Sequence, residues 1–153
     1  MKKIKNSKGF TLMEMLIVVA IIAVLIAIAV PTFSASLNKA RVATDEANIR
    51  SGYASVVAEL LTKDRSAETG TTPTTYTYYL MKDGSVSTAT SEANAYKTLG
   101  NNTTAVMVSG VSAGTWTKGH GVTYTVTAQA DGSFAIGISA GDTTQTNPGQ
   151  GGN

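Results

Sequence analysis

From Phe10 to Val30 the chain reads as one apolar block: 13 of its 21 residues are Phe, Leu, Ile or Val, and only Thr11 and Glu14 are polar. Twenty helical residues span roughly 30 Å, so the block is long enough to cross a bilayer. Pro31 follows at once. Proline removes a backbone donor and clashes with the carbonyl four residues back, so a kink or a stop is expected there. Beyond it Val42, Ile49, Tyr53, Val56 and Leu60 recur at spacings of seven, four, three and four, with Val57 and Leu61 widening the stripe. Residues 32–62 therefore read as an amphipathic helix, with Lys39, Asp45, Glu59 and Lys63 assigned to its solvated side.

After this the period changes from helix to strand. Tyr76 to Met81 and Ala105 to Val108 are rich in strand formers, and Val122, Tyr124 and Val126 alternate with threonines. Asp131-Gly132 then precedes Phe134, Ile136 and Ile138, which predicts a hairpin. A short helix is predicted from Glu92 to Leu99, started by Ser91 and stopped by Gly100. Four short strands in residues 63–140 make a marginal core alone, and laying the sheet on the stripe from Val42 to Leu61 remedies that. Residues 141–153 lack apolar periodicity and read as a flexible tail. The expected class is α+β, a long N-terminal helix packed against a small antiparallel β-sheet.

Charge sharpens the picture at the N-terminus. The formal net charge is +2 from 12 basic and 10 acidic residues, but Lys2, Lys3, Lys5 and Lys8 all precede the apolar block, leaving eight basic against ten acidic residues, or −2, elsewhere. The positive-inside tendency places the N-terminus in the cytoplasm and the bulk of the chain outside. No basic patch marks a nucleic-acid site, so a nucleic-acid partner stays open. With no cysteine, a disulfide framework, a thiolate metal site and a thiol nucleophile are excluded. Glu14 is the anomaly, because a charged group inside a membrane helix costs about 2.5–3.5 kcal/mol at the centre and somewhat less near an end.

Three fates compete for the block. A secretory signal would be cut near Ala27-Ile-Ala29 or Ser34-Ala-Ser36, and a plain signal anchor would keep Glu14 as an expensive accident. The third accounts for the glutamate. Lys8-Gly9-Phe10-Thr11-Leu12-Met13-Glu14, followed by the long apolar run, closely resembles the N-terminal signature of type IV pilins and pseudopilins, the class III signal. The resemblance covers about the first 50 residues. It implies a leader at residues 1–9, cleavage after Gly9 by a prepilin peptidase, N-methylation of Phe10 and a transmembrane polymerisation helix at residues 10–31. It also implies other pilin copies as homopolymer partners, an assembly ATPase, a membrane platform, a single-pass precursor in the inner membrane and an extracellular filament.

The residues themselves leave two partners open for Glu14, once cleavage frees an amine at Phe10: the amine of its own chain, four residues back, or that of a neighbouring copy. Pairing with a cation restores much of what a buried carboxylate loses, and the resemblance implies the intermolecular pair. Ala20, Ala23, Ala27 and Ala29 permit close approach of helices. Catalysis finds little support: His120 stands between two glycines with no second ligand at metal spacing, and no cofactor is implied. Tyr76, Tyr78 and Tyr79 read as strand packing with a stacking surface as the alternative; Trp116 reads either as a core anchor or as an exposed contact. The expected function is that of a major pilin, with a minor pilin, a type II secretion pseudopilin or a signal-anchored β-rich adhesion domain as alternatives.

A peptidase must draw an extended backbone close, which glycine permits and a β-branched residue does not. Gly9→Val should therefore leave the precursor unprocessed on a gel, whereas a mature-sized product would contradict this reading.

Overall fold

The computed structural model describes residues 9–62, 74–89, 94–129 and 131–141. It divides into two compact units, residues 1–37 and 38–153. One helix, α1, runs from Leu12 to Thr62 and contributes to both.

In the first unit α1 is exposed on all sides, its large apolar side chains ranging from Leu12 at 84% to Leu37 at 39%. It does not stop at Pro31, which lies inside it. The missing Pro31 amide deprives the Ala27 carbonyl of its intrahelical donor. The next turns carry side-chain reinforcement instead: Thr32 Oγ1 donates to the Ile28 carbonyl at 3.1 Å and Ser36 Oγ to the Thr32 carbonyl at 3.0 Å.

In the second unit α1 buries Asp45, Ile49, Gly52, Val56 and Leu60, a stripe at spacings of four, three, four and four. The stripe lies in the same core as a four-stranded antiparallel sheet. Its strands are β1 (Thr74–Leu80), β2 (Val86–Ser87), β5 (Thr123–Ala128) and β6 (Phe134–Ser139), in the order β2-β1-β5-β6. The predicted hairpin is present as β5–β6, paired from Thr123↔Ser139 to Ala128↔Phe134. A separate small hairpin joins β3 (Met107–Val108) to β4 (Val111–Ser112). Its two loop residues, Ser109 and Gly110, have φ of 50° and 83°, the pair of positive values that a tight primed turn requires.

Strand alternation sorts the side chains. Tyr78 and Leu80 of β1, Tyr124 and Val126 of β5 and Ile138 of β6 enter the core with Val56 and Ile49, while Thr75, Thr77, Thr125 and Thr127 take the other face. Gly52 has a steric reason to be glycine: a Cβ there would overlap the Tyr124 hydroxyl and come within 2.8 Å of Leu80 Cδ1. The close approach lets Tyr124 Oη donate to the Ile49 carbonyl at 2.8 Å.

Two expectations are corrected. No helix occupies residues 94–99. This stretch is extended, with Ala95 bridged to Met81 and Lys97 to Gly121, and the Tyr96 amide donating to the Leu80 carbonyl at 2.8 Å. Tyr96 and Thr98 are buried between exposed Lys97 and Leu99, a two-residue period that propensity alone does not reveal. Residues 91–93 lie outside the described residues, as do the tail residues 142–153. The second correction concerns Asp45, which is fully buried rather than solvated.

Asp45 fastens the segment after β2 to α1. Its Oδ1 accepts from Tyr96 Oη at 2.6 Å and from the Leu99 amide at 2.8 Å; its Oδ2 accepts from the Gly100 amide at 2.9 Å and from Trp116 Nε1 at 3.2 Å. Gly100 sits so close to α1 that a Cβ would lie 2.9 Å from the Val42 amide nitrogen. Seven residues earlier on α1, Asn38 pairs its side-chain amide with the backbone of Asn101, at 2.9 and 2.8 Å.

Asp45→Ala would leave four buried or half-buried donors without their acceptor, at a cost of about 3–5 kcal/mol. Denaturant unfolding followed by the fluorescence of Trp116, the single tryptophan, should show that loss; an unchanged midpoint would contradict the role given to Asp45. Burial, then the hydrogen bond to Asp45, pushes the Tyr96 hydroxyl up to about 12, and burial raises that of Tyr124. A proton held more tightly in the folded state stabilises it fully below the unfolded value of about 10 and progressively less above it. Stability should fall as pH rises from about 10 towards 12, with these two tyrosinates appearing only on unfolding. A flat stability profile across that window would contradict the assignment.

Candidate functional site

The first turn of α1 explains itself from four residues, Thr11-Leu12-Met13-Glu14. A threonine followed three positions later by glutamate is a capping box, in which each side chain satisfies a backbone amide the helix leaves open. Both halves are formed. Thr11 Oγ1 accepts from the Glu14 amide at 3.2 Å, and Glu14 Oε2 accepts from the Thr11 amide at 2.8 Å. The Thr11 hydroxyl also donates to the same Oε2 at 2.8 Å. The negative charge stands where the helix dipole favours it, in the first turn.

Each residue singled out in the sequence now has a place. Gly9 precedes the helix, and a Cβ on it would meet no described atom within 4 Å. Phe10 is 80% exposed and lies before the cap, outside the helix. Its backbone therefore does not stand one regular helical turn from Glu14. Pro31 is internal to α1. The structure brings Thr11 and Glu14 together and leaves Gly9 and Phe10 free of contact with them in the hydrogen bonds formed.

Below the cap, the large apolar side chains from Leu12 to Phe33 are exposed, and the most apolar stretch is wholly unburied. The surface is not smooth. Ala20 forms a recess among Leu16, Ile17, Ile21, Val24 and Leu25, and Ala29 another among Leu25, Ile28, Thr32 and Phe33. Further along α1, Ala40, Ala43, Ala47, Ser51, Ala54 and Ala58 recur at spacings of three and four and are all exposed. The helix thus turns large residues to the core in its second unit and small ones away from it.

The remaining candidates resolve into structure. His120 is half-buried in a loop with Nδ1 2.7 Å from Thr117 Oγ1, and among the described residues no cluster suits a metal ion. Glu46 pairs with Arg50 at 3.4 Å on the surface of α1. Tyr78 and Trp116 are core residues at 1% and 3% exposure, which removes both from any contact surface.

Comparison with known proteins falls on this same end of the chain. Residues 4–30 match the family described as the prokaryotic N-terminal methylation motif. The chain's N-terminal stretch is similar to that of type IV pilins. Over 52 residues it is 48% identical to the type IV narrow pilus major component PilA5 of Thermus thermophilus, a match that spans 32% of this chain and 45% of that pilin. The chain thus spans less than half the length of the curated relative it matches. No solved structure matches it. The long apolar helix and the antiparallel sheet are consistent with the α+β fold of type IV pilins.

Two features escaped the sequence reading. The cap was legible as the T-x-x-E spacing, overshadowed by the cost of a charge in an apolar run. Asp45 also left a trace: the gap of seven between Val42 and Ile49 has its missing helical position at residue 45, filled by an acid instead of a hydrophobe.

Proposed function

We propose that this chain is the major structural subunit of a type IV pilus, processed after Gly9 by a prepilin peptidase, N-methylated at Phe10 and polymerised through α1. One observation carries the reading: an uncovered apolar helix more than twenty residues long that begins with a capped carboxylate. The 13 large apolar residues from Phe10 to Val30 hold this segment in lipid by about 4–8 kcal/mol at roughly 0.3–0.6 kcal/mol each. Leaving the membrane requires an equally apolar replacement and outside work. Identical helices from other copies supply the first, with the recesses at Ala20 and Ala29 admitting neighbours closely. An assembly ATPase and a membrane platform supply the second.

In this scheme the precursor is a single-pass protein of the inner membrane with its N-terminus in the cytoplasm, and the assembled filament is extracellular. The head, residues 38–141, is structural and not an enzyme. Glu14 answers the Phe10 amine of a neighbouring copy, which fixes the axial register of each subunit entering the filament. Pro31, by leaving the Ala27 carbonyl without a donor, is where α1 bends most easily. The name of the Thermus relative, a major pilus component, favours the major role over that of a minor pilin or pseudopilin.

Glu14→Ala should be cleaved normally and reach the membrane, yet yield at least tenfold fewer filaments, because the amine it answers is left unpaired. Sheared filaments from the parent strain should consist mainly of a chain starting at N-methylated Phe10. Normal filament yield from the variant, or a surface form starting after Ala29 or Ser36, would overturn the reading.

A further inference from the structure

We propose that Thr11 is a positioning residue for assembly, holding the Glu14 carboxylate by Oε2 so that Oε1 faces an incoming cation. The inference rests on the proposed pairing of Glu14 with a neighbour's amine. Both Thr11 donors converge on one oxygen, the amide and the hydroxyl each at 2.8 Å from Oε2. Among the described residues nothing donates to Oε1. A carboxylate accepts at both oxygens, so the cap and the intermolecular pair do not compete for the same lone pairs. The two bonds can exist at once.

This arrangement has a consequence for the subunit before it joins a filament. An isolated carboxylate in lipid has every reason to take up a proton or to swing towards water. Bound twice by Thr11, Glu14 keeps two donors for its charge beside its own helix. Both donors belong to Thr11, which lies beyond the Gly9–Phe10 bond, so cleavage removes neither. Free rotation of the glutamate side chain is also curtailed, and its remaining oxygen is left open at the first turn. The subunit arrives with half of the contact made.

The cap and the charge are separable by substitution. Thr11→Val keeps shape but loses the hydroxyl; Thr11→Ser restores it. Glu14→Gln retains the capping box, in which glutamine serves as well as glutamate, but removes the charge. Each is made in the full chain, with membrane level, mature size on a gel and sheared filament yield measured. T11V should mature normally and lose filament yield by about fivefold, the factor that loss of one N-cap hydroxyl carries. T11S should assemble as the parent does, and E14Q should fail. Normal yield from E14Q would sink the charge pairing itself. Failure of E14Q with normal yield from T11V, or an unprocessed T11V, would overturn only the role given to Thr11.

Discussion

A carboxylate can stand at the head of an apolar helix only if something donates to it. In this chain the donor is local. Thr11 supplies two hydrogen bonds to one oxygen of Glu14, and the glutamate repays one of the amides that every helix leaves open at its start. The consequence is a helix that begins as an exposed apolar segment with a satisfied charge and runs from Leu12 to Thr62.

The same solution recurs 31 residues later on α1. Asp45, fully buried, has no cation beside it among its bonded partners and is held by a tyrosine hydroxyl, two backbone amides and an indole. Burying a charge is costly unless hydrogen bonds complete its shell, and here they do. The two acids differ in what they join. Glu14 closes a local loop and leaves an oxygen free; Asp45 spends both oxygens on residues 51 to 71 positions away. One is suited to meet another molecule, the other to fix the head upon its own helix.

That contrast also explains how far the sequence could be read. The apolar block, the motif around Gly9 and the β5–β6 hairpin were legible because each is a repeated or locally specified pattern: thirteen large apolar residues in one run, a short signature, alternation across Asp131-Gly132. The stripe from Val42 to Leu60 was legible for the same reason. Asp45 was not, since its partners Tyr96, Leu99, Gly100 and Trp116 are brought to it only by folding. The helix expected at residues 92–99 failed on the same ground. Local propensity favoured it, but pairing with Met81 and Gly121 and the demand of Asp45 for two consecutive amides require an extended chain. Trp116, undecided from sequence, is settled by the indole N–H that Asp45 accepts. Pro31 shows the limit of a single-residue rule: it is accommodated inside a helix of 51 residues.

Assembly in this account turns on a charge passing from partial satisfaction within one chain to full satisfaction between two. A helical reconstruction of the filament at side-chain resolution tests it directly. The account places a Glu14 carboxylate oxygen within about 4 Å of the Phe10 nitrogen of another copy, deep among the packed apolar helices. A Glu14 side chain directed to solvent, with no amine of a second subunit in reach, would contradict it.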